Sequence, residues 1–558
     1  MTVSPFTTER LLFTPAKPID AAVPVIFAFP NEYSVGITSL GYQVVWATLA
    51  SRQDLQVSRL FTNVYEPLPS QPELLGFSLS WELDYVNVLG LIESLGLPIW
   101  VRERASHFPS KKYPLVFGGG PVLTANPEPF ADFFDVILLG DGELLLEEFI
   151  NAYQEVREAE RGTQLRHLAR VPGIYVPSLY EVTYDGERGA VKAIAPIEPD
   201  LPTIIEKQTY RGNTLSASTV VTEKAAWENI YMVEVVRSCP EMCRFCLASY
   251  LTLPFRVASV EDSLIPAIAR GLEVTDRIGL LGASVTQHPE FDHLLDYFNR
   301  PEYDQIRLSI ASVRTNTVTP KLAETLVKHD TRSITIAVES GSDRLRQMIN
   351  KKLTNDEIIQ AAINAKAGGL SHLKLYGMAG VPGEEPNDLE QTVAMLQAIK
   401  KAAPGLRLTF GCSTFVPKAH TPFQWFGVNA QAEKRLQWLQ KKLRPMGVDF
   451  RPESYHWSVI QALLSRGDRR LSRLLELTRH YGDSLGSYRR AFKELRGQLP
   501  DLEFYVYSDW PPEQVLPWSH LRGPLPQATL IKHLAAATEY FGASVSQPKP
   551  LGVADSGG

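Results

Sequence analysis

Arg237-Ser-Cys-Pro-Glu-Met-Cys-Arg-Phe-Cys246 gathers three of the four cysteines of the chain within eight residues, as Cys239-x3-Cys243-x2-Cys246. The stretch follows the apolar run Tyr231–Val236, so it reads as a tight loop at the end of a buried strand. Three thiolates from one such loop can hold three irons of a cubane cluster and leave the fourth iron without a protein ligand. A structural zinc ion would want four protein ligands, and no His stands near the triplet. A thioredoxin-like reading of Cys243-Arg-Phe-Cys246 leaves Cys239 without a role. The spacing therefore predicts a [4Fe-4S] cluster on Cys239, Cys243 and Cys246. Phe245, just before the last ligand, is placed to pack near a bound nucleoside, or serves as a core aromatic.

Working outward, strand candidates alternate with helical stretches on both sides of the loop. Downstream they are Ile278–Leu281, Ile306–Ile310, Ile334–Val338, His372–Met378 and Arg407–Gly411. With Tyr231–Val236 these make six βα units and predict a partial (β/α)6 barrel over about 229–450, with its working loops at the strand C-termini. Upstream, Val23–Phe29, Leu75–Ser80, Pro114–Phe117 and Val136–Leu139 are apolar runs separated by helical stretches. They predict a Rossmann-like, doubly wound parallel sheet over 21–190. Residues 1–20 read as a lead-in and 191–228 as a turn-rich linker. Residues 451–558 read as a small C-terminal α/β or helical domain, with helices around 457–497.

An open iron can chelate the amino and carboxylate groups of S-adenosylmethionine, and one electron then cleaves the sulfonium to methionine and a 5'-deoxyadenosyl radical. The loop resembles the signature of radical S-adenosylmethionine (SAM) proteins. The likeness extends over about residues 22–540, to a largely uncharacterised branch with a cobalamin-binding-like domain in front. Val338-Glu-Ser-Gly-Ser-Asp-Arg-Leu345 and Gly377-Met-Ala-Gly-Val-Pro-Gly-Glu384 are shared by many such enzymes. Phe415–Trp425 and Ser465–Arg470 are narrower and mark the branch.

The resemblance implies cofactor contacts at the strand ends. Glu339 and Ser340 would bind the ribose or amino group of SAM, or Glu339 would pair with a barrel Arg. Ser312 and Arg314 end the third strand, where Arg314 would hold the methionine carboxylate or form a structural ion pair. Ser284, with Thr286 and His288, ends the second strand region as an amino-group ligand, and His288 reads better as a satisfied loop histidine. Gly380 and Val381 would let main-chain groups read the adenine edge. Phe415–Trp425, with Lys418, His420, Thr421 and Gln424, would form a substrate-facing wall or anchor the core. Arg466, Asp468, Arg469 and Arg470 would pair at a domain interface or grip an anionic substrate.

Cobalamin domains of this kind often hold cobalt through a His in an Asp-x-His-x-x-Gly loop. Here the stretch reads Asn31-Glu-Tyr33-Ser-Val-Gly36, with Tyr33 in the place of the His, and a phenol is a poor replacement for imidazole. Gly118-Gly-Gly-Pro121, Asn126-Pro-Glu-Pro129 and Gly140-Asp-Gly-Glu143 keep the outline of the family. Their glycine turns could accept a corrin or nucleotide tail, or close an empty domain. Cobalamin is thus a candidate cofactor, without a protein ligand from the front loop.

The chain has 558 residues, 44% hydrophobic and 21% charged, with a net charge of -6. That length predicts several domains, and the charge gives no global pull towards nucleic acid. No apolar run approaches the roughly 20 residues of a membrane span, and no signal peptide is evident. A cytoplasmic protein with reduced thiols is expected. Methylthiotransferases of this class use three further N-terminal cysteines, which are missing here, and Cys412 alone can neither build an auxiliary cluster nor complete a two-cysteine methyl relay. The expected function is reductive cleavage of SAM to modify an unknown substrate, with methylation or another alkyl rearrangement the outcome if cobalamin binds. An electron donor such as flavodoxin or ferredoxin would serve it. The rival readings are a nucleic-acid-modifying radical SAM enzyme without cobalamin and a non-catalytic iron-sulfur redox or binding protein.

Overall fold

The run Val-Pro-Val-Ile-Phe-Ala is apolar on both faces of a strand, and it forms β1 (Val23–Ala28) at the heart of a six-stranded sheet. The computed structural model describes residues 4–106, 113–311 and 313–541. The other strands of this front sheet are β2 (Leu55–Leu60), β3 (Leu74–Ser78), β4 (Leu115–Gly119), β5 (Val136–Leu138) and β6 (Ile174–Tyr175). Their order is β2-β1-β3-β4-β5-β6, parallel except for the last pair. The order reverses between β1 and β3, which puts a crevice at the C-terminal ends of those strands. Helix α1 (Leu40–Ala50), capped by Ser39, covers one side of it. β2 and β6 were not anticipated. β2 (Leu-Gln-Val-Ser-Arg-Leu) breaks its apolar pattern with Arg59, which is buried only because Glu9 and Glu66 pair with it.

Seven parallel strands form the second half: β7 (Ile230–Glu234), β8 (Arg277–Leu281), β9 (Arg307–Ile310), β10 (Ser333–Glu339), β11 (His372–Ala379), β12 (Arg407–Thr414) and β13 (Asp449–Pro452). They fall into a sheet of three and a sheet of four, joined by the single bridge Val313–Ile336. The result is an arc, with no pairing between β7 and β13 among the described residues. The alternation of β10 shows how the arc is built. Ile334, Ile336 and Val338 enter the outer apolar core, while Thr335 and Ala337 lie on the inner face. β13 adds a strand to the six expected.

The stretch expected to be a linker is pinned at several points. Arg10–Leu11 pairs with Val220–Val221, Tyr180–Tyr184 with Val191–Pro196, and Ile205–Glu206 with Leu521–Arg522. The C-terminal helices α2 (Tyr455–Arg466), α3 (Leu471–His480), α4 (Leu485–Glu494) and α5 (Gln527–Thr538) share one continuous apolar core with the front sheet. The outer core of the arc is separate. Among the described residues no helix is long and apolar enough to cross a membrane.

Candidate functional site

After β7 the chain pairs Val236–Arg237 with Arg256–Val257, which closes the base of the cysteine loop. Inside the loop, Ser238 and Met242 hold left-handed backbone at φ 72° and 56°. The Asn350 amide donates to the carbonyls of Glu241 (3.1 Å) and Met242 (2.8 Å), and Asn350 is itself at φ 58°. Glu339 and Lys352, also around the loop, have φ 63° and 48°. Five of the nine non-glycine residues with positive φ among the described residues thus surround the cysteines. Such backbone is costly and persists where the surroundings enforce it, commonly at ligand sites.

Cys243 is buried and Cys239 and Cys246 half-buried, all as free thiols. Burial pushes the Cys243 thiol up to about 12 and raises Cys246 as well. The nearby cation is Lys351, whose Nζ lies 2.9 Å from Glu339 Oε1. Burial alone would lower this ammonium, but Glu339 and Cys243 outweigh it and hold the group above its ordinary range. Among the described residues no three His, Cys, Asp or Glu side chains converge on one ion. A cubane asks for something different, one thiolate on each of three irons.

Glu241, inside the loop, is a hub that the sequence did not reveal. Ser284 Oγ donates to Gln287, whose amide donates to Glu241. Arg314 lies 3.1 Å from the same carboxylate. Ser284 and Arg314 therefore meet at the cysteine loop, with Arg314 in the ion pair that was the alternative to cofactor binding. Ser312 lies outside the described residues. Glu339 sits at the end of β10, where a bulge interrupts its register with β11, and it pairs with Lys351, whereas the alternative to cofactor binding had named a barrel Arg. The Ser340 hydroxyl accepts from the Ser342 N–H at 3.1 Å. Gly380, at φ 74°, donates its N–H to Glu384, and the Val381 carbonyl accepts from the Glu384 N–H. Two of the main-chain groups expected to face adenine are thus used within the turn. His288 is satisfied at both nitrogens, by the Ala258 carbonyl and the Glu290 N–H. Cys412 is buried in the outer core of the arc. Lys351 and Asn350 were missed because nothing in Ile-Asn-Lys-Lys says that this turn folds back onto the cysteine loop.

The crevice of the front sheet is a cavity of about 250 Å³ lined by Phe27, Ser78, Gly119, Gly41 and Thr48, with Arg237 of the cysteine loop in its wall. A Cβ at Gly41 would meet no protein atom within 4 Å. The Gly140–Glu143 turn is a latch: Arg237 pairs with Glu143 at 2.6 Å and Arg256 with Asp141 at 2.6 Å. Tyr33 is buried, and its hydroxyl donates to Glu9 Oε1 at 2.6 Å. Burial, then Glu9, raise this phenol far above its ordinary range.

The two branch motifs lie at the seam between the front sheet and the C-terminal helices. Phe415, Phe423 and Trp425 are buried, Lys418 pairs with Glu82, and Gln424 accepts from Trp518. Core anchoring, the alternative to a substrate wall, describes them. Arg469 pairs with Glu128 at 3.0 Å, Arg470 with Asp468 at 2.6 Å, and buried Arg466 donates to the Val506 and Ser508 carbonyls.

Residues 233–396 match the radical SAM superfamily, and residues 44–177 match the family of N-terminal regions of radical SAM proteins. An uncharacterised protein of Methanocaldococcus jannaschii is 27% identical over 82% of this chain and 91% of its own length. An uncharacterised methyltransferase of Pyrococcus horikoshii is 24% identical over 49% of this chain and 56% of its own. Among solved structures, the radical SAM methyltransferase TsrM of Kitasatospora setae aligns with a TM-score of 0.49 at 14% identity, over 72% of this chain and 75% of that one.

Proposed function

The chain belongs to the radical SAM superfamily, and from that premise we propose that it methylates an unactivated position of its substrate, with cobalamin held at the front crevice. The superfamily uses a [4Fe-4S] cluster and SAM. Cys239, Cys243 and Cys246 would hold the cluster, and three soft thiolates on one loop fit that group. The bound cluster supplies the electron that cleaves the sulfonium of SAM.

The other work falls to the chain. Lys351 offers a cation and Glu339 a carboxylate beside the thiols, suited to the carboxylate and amino group of an amino acid. Glu241 is held by Arg314 and Gln287, which fixes the loop that presents the thiols.

One observation carries the methylation reading: Arg237 of the cysteine loop stands in the wall of the front crevice. A cofactor whose nucleotide tail filled the crevice would lie beside the cysteine loop, against Arg237. The open space at Gly41 leaves room for such a group, and a topological switch point is where such ligands bind. The experiment is anaerobic reconstitution with iron, sulfide and hydroxocobalamin, followed by gel filtration and metal counting. About four irons and one cobalt per chain are expected, with reduced enzyme turning SAM into methionine plus 5'-deoxyadenosine or into S-adenosylhomocysteine. Iron without cobalt would move the reading to non-methylating radical chemistry. Stoichiometric zinc without iron would end it.

A further inference from the structure

Beyond the cluster and the crevice, an unassigned cavity of about 750 Å³ opens among the C-terminal helices. That volume is in the range of small-molecule sites. Its floor is apolar, made by Val459, Ile460, Phe492, Leu495 and Leu502. Its rim is cationic. Arg489, Lys493 and Arg496 stand three to four residues apart on and just beyond α4, so they form one row along the edge of the cavity. None of the three has an ion pair among the described residues. Asp501 is the one carboxylate in the lining, and it is already paired with Arg188 at 3.2 Å.

The position of the cavity matters as much as its lining. β13 ends at Pro452, the Glu453 N–H bonds to the Cys412 carbonyl of β12, and α2 begins at Tyr455, which lines the cavity. Tyr507, on the same wall, lies 3.5 Å from Tyr455 between their hydroxyls. Because β12 and β13 are parallel, this wall stands at the same end of the arc as Glu339 and the cysteine loop.

We propose that this cavity anchors an amphipathic anionic substrate, with its apolar body on Phe492, Ile460 and Leu502 and its phosphate or carboxylate on Arg489, Lys493 and Arg496. The assignment as a substrate rests on the enzymatic reading above, whereas the binding itself does not. An apolar floor alone would take a neutral lipid, and a cationic row alone would take any anion. Having both on one cavity selects molecules that carry an apolar chain and an anionic head.

The test is calorimetric titration of full-length protein with n-octyl phosphate, n-butyl phosphate, n-octanol and inorganic phosphate, below any micelle concentration. Octyl phosphate should bind up to about 200-fold tighter than butyl phosphate, since it carries four more methylenes and each, when buried, contributes ~0.8 kcal/mol, or about 4-fold. The triple variant R489Q/K493Q/R496Q changes exposed side chains and should keep its circular dichroism spectrum. It should lose about 10- to 100-fold in octyl phosphate affinity with octanol unaffected. Cys239→Ala protein should bind octyl phosphate as well as wild type does. The two claims fail separately: reconstituted wild-type protein that binds octyl phosphate but cleaves no SAM would sink only the enzymatic reading. Equal affinity for octyl phosphate and octanol, or no loss in the triple variant, would overturn the cavity assignment. So would binding of single-stranded RNA or phosphatidylglycerol vesicles through the same three cations with no affinity for octyl phosphate.

Discussion

The cysteine loop and the seam around Glu128 use the same materials, buried charges on loops between distant elements, to opposite ends. At the seam three buried carboxylates each meet a cation: Glu128 with Arg469, Asp468 with Arg470, Glu82 with Lys418. Among these partners the backbone is ordinary, His420 at φ 60° being the one nearby exception. Around the cysteines, by contrast, five left-handed non-glycine residues crowd together, and the buried Lys351 ammonium sits beside Cys243 and Cys246. Paired charge on relaxed backbone holds parts together. Strained backbone with thiols short of counter-charge is an arrangement that a bound group would complete.

The broadest test of this contrast is at the cysteines. Replacing Cys239, Cys243 or Cys246 by Ala should bring SAM cleavage to background and remove the reduced-cluster spin signal, with the melting temperature of the unloaded protein changing little. A variant that still cleaves SAM would remove the cluster from this loop.

The seam should behave the other way. Glu128→Gln leaves Arg469 buried without its counter-charge and should cost about 3 kcal/mol or more of stability, with SAM affinity unchanged in protein that remains folded. Acid probes the same seam. Burial pushes His420 and His520 down to about 4, so the unfolded chain takes up protons that the folded chain refuses. Stability should fall as pH drops from about 6.5 towards 4, by up to about 3 kcal/mol for each ring. Thermal melts across that window, with His420→Gln and His520→Gln flattening the slope, check this. Burial would raise Glu128, but Arg469 and His520 hold it below the usual carboxylate range. Its contribution is lost as pH falls below the ordinary carboxylate range and through that depressed value.

Lys351 tests the functional side at smaller scale. Lys351→Met should weaken SAM binding by about 10- to 100-fold, the worth of one charge-assisted contact, and Lys351→Arg should recover part of it. Iron content should stay near wild type in both. If SAM affinity is unmoved, Lys351 only neutralises Glu339.

How much of this was legible follows from the physics of each region. Most of the parallel strands announced themselves as apolar runs, and Cys239-x3-Cys243-x2-Cys246 pointed to its chemistry because all three proposed ligands are local. Glu241, Asn350 and Lys351 were invisible, since their meaning depends on a turn more than a hundred residues away folding onto the loop. Arg59 hid β2, because a charge in a strand reads as exposed until Glu9 and Glu66 are known to cover it. Lys418 and Arg469 looked equally fit for substrate or interface. Only the positions of Glu82 and Glu128, which the sequence separates from them by hundreds of residues, decide for the interface.

Tyr33 sharpens the comparison most finely, because it occupies a position where a relative would have a metal ligand and yet resembles the seam. Its ring packs edge-on against Phe6 and Phe61, with centroids 5.4 and 5.1 Å away, and its hydroxyl is bonded to Glu9. Glu9 in turn grips Arg59 at 2.7 Å. To reach a cobalt ion the phenol would have to leave this packing, break the bond to Glu9 and ionise against burial and a neighbouring carboxylate, all of which oppose it. Tyr33 should therefore not ligate the cobalt of bound cobalamin. Tyr33→Phe removes one hydrogen bond and keeps the ring, so it should cost about 1 kcal/mol of stability. It should leave the visible and spin-resonance spectra of cobalamin-loaded protein unchanged. A spectral shift in Tyr33→Phe, or an imidazole nitrogen of this chain coupled to cobalt, would mean that the front loop rearranges on loading.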